Sequence, residues 1–228
     1  MSPLGLFVTG TDTGVGKTRI AAGLCRAYGL RGLRVAGLKP IASGCAPTAG
    51  GLQSDDALEL QRAMNLGADY AEVNPYAFAP AIAPHIAAAE AGVRIDLAVL
   101  RRAYERLAVR SDVVVVEGAG GWLAPIDAER TFADLAVDWR LEVVLVVGLR
   151  LGCLNHALLT AEAIERRGLR CVGWVGNAID SQFERAAENL ATLRARLPAP
   201  CLAVLEYAPV CDEAALARTL AASALPEP

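Results

Sequence analysis

Short apolar runs rich in valine, leucine and alanine recur along the chain, and the stretches between them have helical spacing of apolar and polar residues. The runs predict six strands: LGLFVT (4–9), LRVAGLK (33–39), DVVVVEG (112–118), EVVLVVG (142–148), RCVGWVGN (170–177) and CLAVLEY (201–207). Several are continuously apolar, which is typical of strands buried on both faces of a parallel sheet.

Helical patterns fill the stretches between these runs. Residues 17–29 have an apolar face made of Ile20, Leu24, Cys25 and Tyr28. Asp96 is predicted to cap a helix whose inward positions are Leu97, Leu100, Tyr104 and Leu107. Asn155 is predicted to cap HALLTAEAIERR, which ends at Gly168. The alternation predicts an α/β fold with a doubly wound, mostly parallel sheet and helices on both faces.

Length, composition and charge limit the partners. The chain has 228 residues, 54% of them hydrophobic, so we expect a single domain over residues 1–228. A formal net charge of −3 leaves no basic surface for nucleic acid. No apolar run approaches the ~20 residues that span a bilayer, and the N-terminus lacks a signal peptide's basic segment. We expect a cytoplasmic protein without a membrane partner, whose six cysteines are free thiols.

The segment GTDTGVGKT, residues 10–18, directly follows the first predicted strand and has the character of a phosphate-binding loop. The usual pattern G-x-x-x-x-G-K-S/T requires a glycine at position 11, but the chain has Thr11 there and Gly10 one residue earlier. The remainder, GVGKT, is intact. A helix is predicted to begin at its end, so unpaired amide groups would face a bound phosphate. We interpret the segment as the nucleotide site of a P-loop type of α/β domain.

Individual residues of this loop suit separate tasks. Gly14 and Gly16 let the backbone wrap around an anion, and Lys17 can reach the β- and γ-phosphates. The hydroxyl group of Thr18 suits Mg²⁺. Asp12 stands where one branch of related ATPases carries a signature lysine, so a partitioning or electron-transfer ATPase of that branch is not predicted.

A second lysine is predicted to lie near the first. Lys39 follows the second strand, in GLKPIASG, and ligands of such folds bind beyond the carboxyl ends of the strands. Two ammonium groups, from Lys17 and Lys39, suit a transferring phosphoryl group or an anionic carbamate. The alternative for Lys39 is a solvated lysine at a strand end. Ser43 is either a donor to a substrate oxygen or a turn residue.

Acidic residues are candidates for a metal site. Glu117 ends the valine-rich strand before a glycine-rich turn, a position typical of a carboxylate that holds Mg²⁺ against phosphates. In SDDALELQ, either Asp55 or Asp56 is a candidate ligand, and capping of the helix by Ser54 or Asp55 is the alternative.

Two later segments have open interpretations. Gly152, Cys153 and Asn155 are predicted at a helix N-terminus, which suits a carboxylate, and ordinary capping by Asn155 accounts for the segment equally well. Asn177 follows the strand CVGWVG and either reads an adenine through its amide or is a turn residue.

Taken in order, eight segments resemble those of the dethiobiotin synthetase family: FVTGTDTGVGKT, AGLKPIASG, DALELQ, NPYAFAPAIAPH, VVEGAGGW, TFADLA, LVVGLRLGCLNHALLT and GWVGN. The resemblance covers nearly the whole chain. It implies an ATP-dependent cyclo-ligase of biotin biosynthesis that uses Mg²⁺. Such an enzyme closes the ureido ring of dethiobiotin from 7,8-diaminopelargonic acid and CO₂, through a carbamate that accepts the γ-phosphoryl group of ATP.

The resemblance also implies roles for individual residues. Lys39 and Lys17 would be catalytic, and Thr18, Asp56 and Glu117 would surround Mg²⁺. The ATP-binding positions would be Gly14, Val15, Gly16, Lys17, Thr18, Arg19, Asp56, Glu117, Gly118, Ala119, Gly120 and Asn177. The substrate-binding positions would be Thr13, Ser43, Gly152, Cys153, Leu154 and Asn155, the last four supplied by the second subunit of a homodimer.

Three positions depart from the family pattern. Gly14 stands where some members have Glu, Ala178 follows Asn177 where Asp is common, and LEYAP (205–209) replaces a frequent Pro–aromatic pair. These departures concern the adenine contacts.

Two other functions are alternatives to the ligase. An amidoligase of the cobyric-acid type needs a glutaminase domain, for which 228 residues leave no room, and a switch ATPase would hydrolyse ATP without a small-molecule substrate.

Overall fold

A computed structural model describes residues 3–208 and 212–228, and its centre is a six-stranded parallel sheet. The strands are β1 (Leu4–Gly10), β2 (Val35–Leu38), β3 (Ile41–Ser43), β4 (Ala46–Thr48), β5 (Gly51–Gln53), β6 (Tyr76–Phe78), β7 (Val113–Glu117), β8 (Glu142–Leu149), β9 (Cys171–Ala178) and β10 (Cys201–Leu205). The main sheet has the order β10-β9-β8-β1-β7-β2, with parallel pairing throughout. Strands β3 and β6, and strands β4 and β5, form two small sheets beside it.

Helices cover both faces of the main sheet. They are α1 (Lys17–Leu30), α2 (Asp55–Ala63), α3 (Tyr70–Val73), α4 (Pro84–Glu90), α5 (Leu97–Ala108), α6 (Phe132–Asp138), α7 (Cys153–Arg166), α8 (Ala186–Arg196) and α9 (Glu213–Ala221). Successive residues of β7 point in opposite directions: Val115 packs in a cluster with α1, α2 and α9, and Val116 packs in a cluster with α5 and α6. The predicted doubly wound α/β fold and its six strands are confirmed.

The predicted cap of α5 is confirmed. For α7, the predicted end at Gly168 is confirmed, since the helix ends at Arg166 and Gly168 has φ 72°, but the predicted cap at Asn155 is wrong. The Asp96 carboxylate accepts a hydrogen bond of 2.8 Å from the amide of Ala98, which is the predicted cap. Helix α7 begins at Cys153, so Asn155 lies in its first turn and does not cap it. The reason is Gly152, whose left-handed conformation (φ 94°) turns the chain directly into the helix.

Two other expectations concern the interior and the membrane. Among the cysteines that the structure describes, Cys25, Cys45 and Cys153 are buried, Cys171 and Cys201 are half-buried, and all are free thiols, as predicted. Cys211 and Pro209, the last residue of LEYAP, lie outside the described residues. In residues 3–208 and 212–228, no helix has both the length and the apolar character needed to cross a bilayer.

The strand order determines which chain segments meet at the carboxyl edge of the sheet. Because β1 pairs with β7 on one side and β8 on the other, the loops after these three strands are neighbours. Strand β2 lies beyond β7, and Leu38 is in register with Val116. Lys39 therefore leaves its strand beside Glu117.

Candidate active site

The predicted phosphate loop forms one side of a cavity of about 310 Å³ at the carboxyl edge of the sheet. Its walls are Thr13, Gly14, Gly16, Lys17, Thr18, Lys39, Ser43, Asp56, Glu117, Ala119 and Gly120. All of these residues were predicted as site residues. A larger cavity of about 590 Å³ lies beside Pro3, Arg34 and Asp112 and contains none of them. We therefore identify the smaller cavity as the candidate site.

The position of the first glycine of the loop has a steric reason. Gly10 is the last residue of β1, and a Cβ atom there would lie 2.6 Å from Cγ2 of Val15 and 3.2 Å from Cγ of Lys17. A side chain at position 10 would therefore displace the loop. Thr11 at the next position has a different task, since its hydroxyl oxygen accepts a hydrogen bond of 3.3 Å from the amide of Gly148.

Glycine is also required at position 16. Gly16 is the N-cap residue of α1, with φ 93°, a conformation that residues with side chains rarely adopt. A Cβ atom at this position would lie 2.4 Å from Nδ2 of Asn177. The same Nδ2 donates a hydrogen bond of 2.9 Å to the carbonyl oxygen of Val15, so Asn177 packs directly against the phosphate loop.

Lys17 is held with its ammonium group inside the loop. Only 7% of the residue is exposed, and Nζ donates a hydrogen bond of 2.9 Å to the carbonyl oxygen of Asp12. Burial, together with the nearby positive charge of Lys39, lowers the pKa of Lys17 to about 8. The second lysine is therefore electrostatically coupled to the loop, as expected for two ammonium groups in one cavity.

Lys39 is clamped between two carboxylates. Its Nζ lies 2.6 Å from Oε1 of Glu117 and 2.9 Å from Oδ2 of Asp56, and it also donates a hydrogen bond of 3.3 Å to the carbonyl oxygen of Gly118. Burial alone would lower the pKa of Lys39, but the two carboxylates outweigh it and the pKa is raised. The alternative of a solvated lysine is wrong, because only 3% of Lys39 is exposed.

Glu117 is the most deeply buried acid of the site, with no exposed surface. Its Oε1 also accepts a hydrogen bond of 2.8 Å from the hydroxyl of Thr18, whereas Oε2 is buried without a hydrogen-bond partner. Burial raises the pKa of Glu117, despite the opposing effect of Lys39. At α2, Asp56 lines the cavity and contacts Lys39, and Asp55 does not line it. Only the second of the two adjacent acids therefore faces the site.

Other predicted site residues lie outside the walls of this cavity. Arg19 lines a separate cavity of about 170 Å³ with Arg26, Glu59 and Glu213, and its Nε is buried without a hydrogen-bond partner. Residues 152–155 lie at the start of α7 and do not line the 310 Å³ cavity. The role of Arg19 in ATP binding and the role of residues 152–155 in substrate binding stay predictions.

Two contacts of the site were missed in the sequence. The carboxylate of Asp12 forms an ion pair with Arg150, which directly follows β8. The carbonyl group of Gly118 accepts from Lys39. In the sequence, Arg150 attracts attention only as a charge that interrupts an apolar run, because 138 positions separate it from Asp12.

Comparisons with known proteins agree with this geometry. A family model described as an AAA domain matches residues 4–215. The ATP-dependent dethiobiotin synthetase BioD of Pseudomonas aeruginosa (strain UCBPP-PA14) is 57% identical over 197 residues, which are 86% of each chain. The protein of the same name from Xanthomonas euvesicatoria pv. vesicatoria (strain 85-10) is 50% identical over 94% of this chain and 96% of its own. These matches show that the chain belongs to the dethiobiotin synthetase family.

Proposed function

We propose that this chain is an ATP-dependent dethiobiotin synthetase, a ligase that forms the ureido ring of dethiobiotin from 7,8-diaminopelargonic acid and CO₂. The observation that carries the proposal is the convergence of two buried lysines, Lys17 and Lys39, in one cavity. The reaction brings a carbamate anion against a triphosphate, so it needs positive charge fixed beforehand where the anions meet. Because the reaction consumes ATP, we also propose that the protein acts in the cytoplasm.

The phosphate loop is proposed to hold the triphosphate. Lys17 would exchange its hydrogen bond with the carbonyl oxygen of Asp12 for one with a phosphate oxygen. Amide groups at the N-terminus of α1 add the positive end of a helix dipole. Asn177 is proposed to contact the adenine, and its buried Oδ1 without a hydrogen-bond partner supports a polar ligand there.

Thr18, Asp56 and Glu117 are proposed to hold Mg²⁺ beside the phosphates. The fit is supported by the oxygen donors themselves and by the buried Oε2 atom of Glu117, which lacks a hydrogen-bond partner. Within the described residues, no group of three or more His, Cys, Asp or Glu side chains is arranged to hold a metal alone. Mg²⁺ would take its remaining ligands from phosphates and water. When bound, the ion would neutralise charge on the γ-phosphoryl group.

Lys39 is proposed to act on the carbamate. One amine of the substrate takes up CO₂, and the carbamate oxygen attacks the γ-phosphorus with loss of ADP. The second amine then attacks the carbonyl carbon and expels phosphate, which closes the ring. Ser43 and Thr13, on the walls of the same cavity, are proposed to donate hydrogen bonds to the substrate. Positioning and charge neutralisation would supply most of the catalysis.

The ligase is separated from a switch ATPase by measuring ADP release at fixed Mg²⁺, with and without bicarbonate and with and without the diamine. We expect little ADP release until both are present, and a product that has gained one carbonyl group by mass. Lys39→Ala is expected to bind ATP but to lose roughly 10²-fold or more in kcat. Steady hydrolysis of ATP at a rate that does not change when bicarbonate and the diamine are added would refute the proposal.

The substrate carboxylate is proposed to bind residues 152–155 of the second subunit of a homodimer. Asn155 and Leu159 are exposed and lie one turn apart on α7, and Leu151, just before this helix, is 91% exposed. Exposed leucines on both sides of Asn155 support a protein interface there, since large apolar side chains in water are unfavourable.

Mixed dimers test the shared site. Lys39→Ala would disable the cavity, and Asn155→Asp would repel the substrate carboxylate offered to the other subunit. A dimer with one subunit of each kind retains one intact site, so an equimolar mixture of the two inactive variants is expected to regain roughly a quarter of wild-type activity. If the mixture stays inactive after subunit exchange has been verified, the shared site is wrong.

A further inference from the structure

The phosphate loop contains an acid, Asp12, whose negative charge opposes the binding of a triphosphate. Its Oδ1 accepts a hydrogen bond of 2.7 Å from the amide of Thr13, and its Oδ2 is paired with Nη2 of Arg150. Its carbonyl oxygen accepts the hydrogen bond from Lys17. Asp12 thus contacts the loop lysine, the loop backbone and an arginine that follows β8, the neighbour of β1 in the sheet.

The loop and the end of β8 are held together by the backbone as well. The amide of Thr11 donates a hydrogen bond of 2.9 Å to the carbonyl oxygen of Val146, and the amide of Gly148 donates to the hydroxyl of Thr11. Arg150 follows β8 directly, so its side chain leaves a backbone that is already fixed relative to Asp12. The pairing of Arg150 with Asp12 therefore depends on the sheet and not only on two mobile side chains.

We propose that Arg150 is a positioning residue for nucleotide binding, which acts through Asp12. Arg150 neutralises the acid in the phosphate loop and holds its carboxylate, so that the loop keeps the conformation in which Lys17 faces the phosphate site. The inference deepens the proposed function, because it requires that a triphosphate binds in this loop. It does not require that the product is dethiobiotin.

Two other roles for Arg150 make different predictions. As a direct ligand of a phosphate, it would be needed whether or not Asp12 is charged. As an ordinary surface ion pair, with side chains 42% and 46% exposed, the two residues would matter little for ATP binding. Charge compensation alone predicts that removal of the acid rescues removal of the arginine.

The test is isothermal titration calorimetry of ATP in the presence of Mg²⁺, with the wild type, Arg150→Gln, Asp12→Asn and the double variant. Asparagine keeps a side-chain oxygen for the amide of Thr13. We expect Arg150→Gln to weaken ATP binding roughly tenfold and the double variant to recover to within about threefold of the wild type. The loss in Arg150→Gln should shrink as salt rises, since ions screen exposed charges. Arg150→Lys should keep most of the affinity.

A matched control is the Arg34–Asp112 ion pair, which lies beside the 590 Å³ cavity. Arg34→Gln makes the same change of charge and should leave ATP affinity unchanged. The proposal is overturned if Arg150→Gln binds ATP as the wild type does, or if the double variant is as weak as Arg150→Gln. If the wild type binds ATP but forms no dethiobiotin, the proposed function fails and this inference is still decided by the titrations.

Discussion

Replacing Lys39 by methionine tests whether the ammonium group stabilises the ligand-free fold. Lys39 is 3% exposed and Glu117 is fully buried, so the substitution leaves a carboxylate in the core without its cation. Removing one partner of a buried ion pair costs about 3–5 kcal/mol. Asp56 adds little to this figure, because 46% of its side chain is exposed.

The loss should be visible in thermal unfolding. For a chain of this length, 1 kcal/mol shifts Tm by about 2–4 °C, so Lys39→Met is expected to unfold roughly 6–20 °C below the wild type. The measurement is circular dichroism against temperature, with EDTA and without nucleotide. Arg34→Met is the control, since it removes a cation from an exposed pair and should shift Tm little.

A double variant separates lost charge pairing from lost packing. In Lys39→Met/Glu117→Gln both members of the buried pair are neutral, so the protein should be more stable than Lys39→Met alone. Added Mg²⁺ should stabilise Lys39→Met, because a second cation can approach Glu117. The reasoning is refuted if Lys39→Met loses less than about 1 kcal/mol of unfolding free energy in EDTA, or if the double variant is no more stable than Lys39→Met.

Two further predictions concern the phosphate loop and the thiols. Gly16→Ala should abolish measurable ATP binding in calorimetry, because φ is 93° and the new Cβ would lie 2.4 Å from Nδ2 of Asn177. Gly67→Ala is the control, since a Cβ there would have no atom within 4 Å, and it should bind ATP normally. Equal affinities of the two variants would contradict the steric argument. Burial raises the pKa of Cys25 to about 12. Iodoacetamide at pH 8 should therefore leave Cys25 unmodified in the native protein and modify it in urea, as measured by peptide mass. Equal labelling in both conditions would contradict a buried, protonated thiol.

The sequence was most informative where burial is complete. The six strands of the main sheet are continuously apolar or nearly so, because helices cover both faces, whereas a strand with one face in water would alternate apolar and polar residues. Strands β3 to β6 were missed. Each has three residues, and all three residues of β4 are exposed, so no apolar run marks these strands. Strands β4 and β5 form a local antiparallel hairpin, whereas β3 pairs with β6 across more than thirty residues of sequence, so that pairing depends on tertiary structure.

Local sequence also left a choice between adjacent residues. Asp55 and Asp56 are equally acidic, and both lie in the first turn of α2. Successive residues of a helix point about 100° apart, so the phase of the helix decides which carboxylate faces Lys39. That phase is set by the packing of Ala57, Leu60 and Ala63 against α1 and β2, and hence by tertiary structure.

The pairing of Asp12 with Arg150 depends on the order of strands in the sheet and not on local sequence. Both residues follow strands, so the sequence predicts that both lie at the carboxyl edge of the sheet. Whether they meet depends on strand order, and β8 lies directly beside β1 although β2 to β7 come between them along the chain. The same logic applies to Lys39 and Glu117, which meet because β7 is inserted between β1 and β2 and so becomes the neighbour of β2. Residue types at strand ends thus indicate the chemistry, and strand order decides which of these groups can act together.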